Sequence, residues 1–244
     1  MNIEGNEINN VLFIGAHPDD VELGCGGAIM KHLKNGDDVF VMVVTDGEVG
    51  KQPKGKNENR LAETLHSLQF AGVKPHQVIF LHLPDTELWR QRQTLLDAIQ
   101  KTCEEHHIDY VYTHASESYH QDHITIFEET IRATKRTMGI FAYETNGGTK
   151  STFSPNVFVN IADVFNKKIE MLKFFKSQSG KDYFDLTGIE ALSRVRAAQS
   201  KIYTHAEGFE LIRLSMPITS MSKAPDNWNV STEHIKHMVH TGGD

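Results

Sequence analysis

Two short clusters in this 244-residue chain combine imidazoles with carboxylates at spacings that suit metal-assisted hydrolysis: His17-Pro18-Asp19-Asp20 and His120-Gln121-Asp122-His123. In the first, His17 and Asp20 stand three apart, and Pro18 fixes φ to favour a tight turn on which both side chains meet one ion. Asp19 lies between them, free to act on a water activated there. Burying two carboxylates and an imidazole together is costly, and a bound cation offsets that cost. One further neutral imidazole from the second cluster completes three protein ligands, the number a catalytic zinc site keeps while leaving a fourth position open. The bland alternative for Asp19 or Asp20 alone is a helix cap, and for any single histidine a surface residue. Neither accounts for two His/Asp clusters at once.

Both clusters follow apolar runs that read as buried strands. Val11 to Ala16 is a short continuous apolar stretch, as expected for a strand covered on both faces. A helix over Gly24 to Asn35 is expected next, then strands at Asp38 to Thr45, Val78 to Leu81, Asp109 to Thr113 and Gly139 to Tyr143. Helices are expected between them at Asn57 to Phe70, Thr86 or Glu87 to His106, and His120 to Met138. The alternation predicts an α/β fold, a Rossmann-like doubly wound and mostly parallel sheet, with a smaller and irregular C-terminal part. That part reads as a loop over 144–155, a strand at Asn156 to Ile161, helices at Ala162 to Lys176 and Gly188 to Tyr203, and a strand at Glu207 to Leu214. In such sheets ligands bind beyond the carboxyl ends of the strands, where both clusters lie. Gly24-Cys25-Gly26-Gly27 reads as close packing of helix on sheet in preference to a phosphate cradle.

Composition narrows the partners. A net charge of −7 with no long basic stretch disfavours nucleic acid. No apolar run is long enough to span a membrane. The polar, acidic start MNIEGNEINN does not read as a secretory signal, and two cysteines, Cys25 and Cys103, fit a reducing cytoplasm. A small molecule is the expected partner. The chain reads as one domain over 1–244, with a core of about 10–214 and a C-terminal extension at 215–244 suited to docking on another subunit.

AHPDDVELGCGGAI after an apolar strand, with HQDH near the middle, resembles the PIG-L/LmbE family of zinc-dependent N-acetylglucosaminyl deacetylases. SPNVFVNIADVFNKKIEMLKFFKSQ and ALSRVRAAQS resemble its bacterial branch. The resemblance implies that His17, Asp20 and His123 ligate Zn2+ (or another divalent transition metal) and that Asp19 is the general base. It makes His120 the histidine that stabilises the oxyanion or protonates the leaving amine, and Asp122 the acid that orients it. Gln121 stands where the family often has Pro. Arg60 and Glu63 resemble the family's Arg-x-x-Glu helix, where the Arg contacts substrate, and Asp85 matches an Asp that contacts sugar hydroxyls. Asp46, at the end of the second strand, is either a sugar contact or a turn residue. The implied substrate is an N-acetylated sugar or glycoconjugate, and the implied assembly is a homo-oligomer, often a hexamer. The competing readings are an amidase on a larger conjugate, a non-catalytic relative, and a metal-free sugar-nucleotide-binding module built on Gly24 to Gly27.

Overall fold

Strand β1 (Asn10–Gly15) has apolar side chains at successive positions because both its faces are covered. Successive side chains point to opposite faces, so Val11 and Phe13 join one buried cluster while Leu12 and Ile14 join another. The first cluster includes Val21, Cys25, Ala28 and Ile29 of α1 (Asp20–Asn35). The second includes Leu95 and Ile99 of α3 (Arg92–Glu105) and Ile126 of α4 (Gln121–Ala133). α2 (Asn57–Ala71) lies on the α1 side, where its Leu68 and Ala71 are buried in the first cluster. The computed structural model describes residues 8–47, 57–201 and 204–215, with side chains from residue 60 onward in the second stretch.

Among the described residues, seven strands form one sheet in the order β3-β2-β1-β4-β5-β7-β6. The remaining strands are β2 (Asp38–Thr45), β3 (Val78–Leu83), β4 (Tyr110–His114), β5 (Gly139–Tyr143), β6 (Val157–Asn160) and β7 (Ala206–Leu214). The first five are parallel; β7 runs antiparallel to β5, and β6 antiparallel to β7. The chain moves outward from β1 to β3 and then returns to β4 on the other side of β1. The crevice between β1 and β4 is therefore the topological switch point where open α/β sheets bind ligands. The doubly wound, mostly parallel sheet matches the expectation from sequence.

Several helix ends differ from their expected positions. α1 starts at Asp20, four residues earlier than expected, so Asp20 is its first residue and Asp19 its N-cap. A carboxylate there also faces the positive end of the helix dipole. α3 starts only at Arg92, because Leu88–Arg90 forms a separate 3-10 turn. α4 stops at Ala133 instead of Met138, where Arg213 of β7 takes the carbonyls of Thr134 and Thr137. α5 (Phe165–Leu172) ends before the expected Lys176, followed by a 3-10 turn at Lys176–Gln178, and α6 spans Leu186–Ser200.

The glycines of α1 pack against the sheet. A Cβ on Gly24 would stand 2.3 Å from the Tyr143 ring, and one on Gly27 2.4 Å from Ile161. At Gly27 the helix also meets a buried ion pair. Lys168 Nζ donates to Glu207 at 2.6 Å and to the Leu23 carbonyl at 2.7 Å, while the Gly27 and Ala28 amides donate to the same carboxylate at 2.8 and 2.7 Å. The compact unit containing these elements ends at Leu214. The sequence Gly47 to Lys56, with its Gly, Pro and Lys, reads as a loop; from residue 48 on it lies outside the described residues, as does the extension from 216 onward. Among the described residues no helix is long and apolar enough to cross a membrane.

Candidate metal centre

Residues Ala16 to Asp20 leave β1 at the switch point and turn directly into α1. The turn is tight: the Asp20 amide donates to the His17 carbonyl at 3.3 Å, and the His17 amide donates to Asp20 Oδ2 at 2.8 Å. Asp19 takes φ 108°, ψ −26°, a left-handed backbone that Asp tolerates better than most residues. On the adjacent strand, β4 ends in His114, whose Nε2 accepts the Ala16 amide at 3.0 Å. Seven residues later the N-terminus of α4 supplies His120, Asp122 and His123.

These side chains meet around one carboxylate oxygen. Asp20 Oδ2 lies 3.2 Å from His17 Nδ1, 3.3 Å from His114 Nε2 and 3.4 Å from His123 Nε2. Hydrogen bonds on the far sides of the rings assign the tautomers. Ser118 Oγ donates to the Gly148 carbonyl at 3.0 Å, so it accepts from His123 Nδ1, also at 3.0 Å. That leaves the Nε2 lone pair of His123 facing Asp20. His17 Nε2 donates to Asp85 Oδ1 at 3.0 Å, leaving its Nδ1 lone pair inward. His114 Nε2 is an acceptor already. A carboxylate oxygen thus faces imidazole lone pairs, an arrangement that needs a positive charge among them.

Without a cation, a proton on His17 supplies that charge. Burial opposes it, but hydrogen bonds to Asp122, Asp20 and Asp85 hold the His17 pKa well above its ordinary value. The donor set also fits a metal. His17, His120 and His123 present donor atoms within 4.8 Å of one another, as do Asp20, His114 and His123, and as do His17, Asp85 and Asp122. Two neutral imidazoles and one carboxylate, with orienting partners behind the imidazoles, suit zinc or a similar divalent ion.

Asp19 stands beside this cluster. Its Oδ2 accepts from Arg60 Nη2 at 3.2 Å; the Tyr183 hydroxyl, 3.5 Å away, donates its proton to Gln178 Oε1 at 2.8 Å. Burial, and then the charge of Asp20, push its pKa up to about 7, against the pull of Arg60. His120 caps α4, its Nδ1 accepting the Asp122 amide at 3.2 Å, so its proton sits on Nε2. Burial, and then the neighbouring His17, lower its pKa and keep it neutral. The Asp122 carboxylate accepts the amides of Thr86 at 2.7 Å and Leu88 at 3.3 Å, and lies 3.7 Å from His17 Nε2. Its hydrogen bond to His120 is through the backbone amide.

A cavity of about 390 Å³ opens above the cluster. Its wall includes His17, Asp19, Asp20, His120 and His123, together with Arg60 and Asp85. Arg60 also donates to the carbonyls of Gly47 at 2.7 Å and Pro18 at 2.8 Å, and Glu63 binds Ser177. Asp46 does not line the cavity; it pairs with His82 at 2.8 Å. Asn146 lines the cavity from the 144–154 loop, which the sequence leads one to expect at its border; Lys181 and Tyr183 line it too, and sequence reasoning gave them no role. It also missed Ser118 and His114. His114 carried one usable signal, as the last residue of a buried strand next to β1. Ser118, in a polar run, carried none.

Comparison with known proteins agrees with this geometry. The PIG-L family, described as GlcNAc-PI de-N-acetylase, matches residues 12–134. The uncharacterized deacetylase YaiS of Escherichia coli is 31% identical over 178 residues, covering 70% of this chain and 93% of the relative. The diacetylchitobiose deacetylase of Thermococcus kodakarensis is 28% identical over 200 residues, covering 74% of each. Among solved structures, N,N'-diacetylchitobiose deacetylase from Pyrococcus horikoshii superposes with a TM-score of 0.71 at 22% identity, over 88% of this chain and 89% of that one, which shows the shared fold. With the matched segment running from β1 through both His/Asp clusters, the chain belongs to the PIG-L family.

Proposed function

We propose that this protein is a metal-dependent deacetylase that hydrolyses the N-acetyl group of an N-acetylglucosamine-type sugar or glycoconjugate. The observation that carries this reading is the convergence of His17 Nδ1, His123 Nε2 and the Asp20 carboxylate, tautomers set from behind, on the floor of a cavity with Asp19 beside them. The names of the relatives support the reaction and the substrate class.

His17, Asp20 and His123 would hold the metal, with zinc best suited to the donors. Bound there, it would polarise the acetyl carbonyl and lower the pKa of a water toward about 7. Asp19 takes the proton of the attacking water, while Arg60 holds the carboxylate by Oδ2. The N–H of His120 on Nε2 donates to the oxygen that gains charge, a preorganised contact of the kind that dominates acyl transfer. Because His120 is neutral and has only that proton, the proton for the leaving amine comes back from Asp19. Arg60 and Asp85, which line the cavity, are the residues this reading assigns to contact with the sugar.

The test is amine release from a panel of N-acetylglucosaminides, with and without a chelator. Release from at least one sugar, abolished by the chelator and restored by zinc, is expected. Turnover indifferent to the chelator, or no release from any member while larger N-acyl conjugates are cleaved, would overturn the reading.

A further inference from the structure

The segment from the end of β3 to the 3-10 turn at Leu88–Arg90 carries Asp85, and it is bent against its own preference. His82 takes φ 53° and Thr86 φ 62°. A β-branched residue with positive φ is a steric outlier that persists only where its surroundings hold it. At Thr86 the holders are two successive residues of α4. The Asp122 carboxylate accepts the Thr86 amide at 2.7 Å, and the Gln121 side-chain amide donates to the Thr86 carbonyl. The two peptide units flanking the strained Cα are each gripped, one by Asp122 and the other by Gln121.

What this grip positions is Asp85, whose side chain is 2% exposed. Its Oδ1 receives His17 Nε2 at 3.0 Å, while its Oδ2 is buried with no hydrogen-bond partner. Besides His17, the hydrogen-bond partner given for this carboxylate is the Thr86 backbone of its own loop, so its aim depends on the backbone that bears it. We infer that Gln121 is a positioning residue: by clamping the Thr86 carbonyl to the start of α4, it aims Asp85 at His17 and so keeps the Nδ1 of His17 turned toward the metal. The inference rests on His17 being a ligand, as proposed above. It concerns an exposed side chain between two cluster residues, and touches neither metal nor substrate.

The experiment measures the rate at which zinc passes from the loaded protein to a chromogenic chelator, alongside kcat, KM and the thermal midpoint. The proteins are the wild type, Gln121→Leu, Gln121→Lys and Asp85→Asn. Partners behind a metal ligand typically command about 10–100-fold in metal affinity, and Asp85→Asn is expected to reach that range. Gln121→Leu, one step further removed, is expected to release zinc several-fold faster and lose kcat with its thermal midpoint near that of wild type. Gln121→Lys, which keeps a donor for the carbonyl, is expected to recover most of the loss. Wild-type release from Gln121→Leu, while Asp85→Asn releases zinc rapidly, would overturn the inference and leave the metal reading intact. A fall in thermal midpoint without faster release would assign Gln121 a merely structural role and overturn it equally. A wild type that binds no zinc would overturn the metal reading and this inference with it.

Discussion

Ser118 and His123 share one hydrogen bond, 3.0 Å from Oγ to Nδ1, and it decides which nitrogen of His123 faces the centre of the site. The hydroxyl proton is committed to the Gly148 carbonyl, and the His120 amide donates to Ser118 Oγ at 3.1 Å. Ser118 is thereby an acceptor toward the ring, and Nε2 of His123 carries the lone pair. Replacing it with Ala removes the acceptor without adding bulk. Ser118→Ala is expected to weaken zinc binding by about 10-fold, read by competition with a chelator of known affinity. Unchanged affinity would mean the tautomer is fixed some other way.

His123→Ala removes a proposed ligand outright. Protein purified from this variant is expected to hold far less than one zinc per chain by elemental analysis, while the wild type holds close to one. A stoichiometric ion in the variant would exclude His123 from the ligand set.

Asp19→Asn separates the base from the ligands. The amide keeps the size of the side chain and accepts from Arg60, but cannot take a proton from water. Loss of general acid–base help is worth about 10²–10⁴-fold, so kcat is expected to fall by at least two orders of magnitude with zinc still bound. Near-normal turnover would remove Asp19 from the mechanism.

Lys168 and Glu207 make a prediction about stability. Both side chains are nearly inaccessible to solvent, and the carboxylate also accepts two amides of α1. Breaking a buried pair by deleting one partner leaves an uncompensated charge, at a cost of about 3–5 kcal/mol. Lys168→Met is expected to lower unfolding free energy in urea by that order, with a smaller loss for the double variant Lys168→Met/Glu207→Gln. Equal losses in both would show that the two charges are not coupled.

The sheet was legible in the sequence because β1, β2 and β5 are covered on both faces and therefore read as unbroken apolar runs. The first His/Asp cluster was legible because it follows such a run directly, and the second because it lies beyond the end of the fourth strand. Other parts were set by distant contacts that leave no local trace. Arg60 reaches Asp19 across 41 positions, and Glu207 meets Gly27 across 180. At the end of α4, Arg213 from β7 joins the Thr134 and Thr137 hydroxyls in taking the last carbonyls. The start of α3 was misplaced because the preceding segment bends through a left-handed Thr86, a residue type that gives no warning of such a conformation.

The backbone at Asp19 narrows what descent can do with this site. At φ 108° the position favours residues with short polar side chains that stabilise their own peptide groups, and disfavours longer ones. Glutamate would bring the same charge, but on a longer arm and a backbone less willing to turn left. The proposed base and the geometry of the turn are therefore inherited together. A lineage that abandons the reaction can pass to asparagine or glycine in one conformationally easy step, so those two residues at this place, in an otherwise intact motif, are the mark to look for in relatives that have stopped being enzymes.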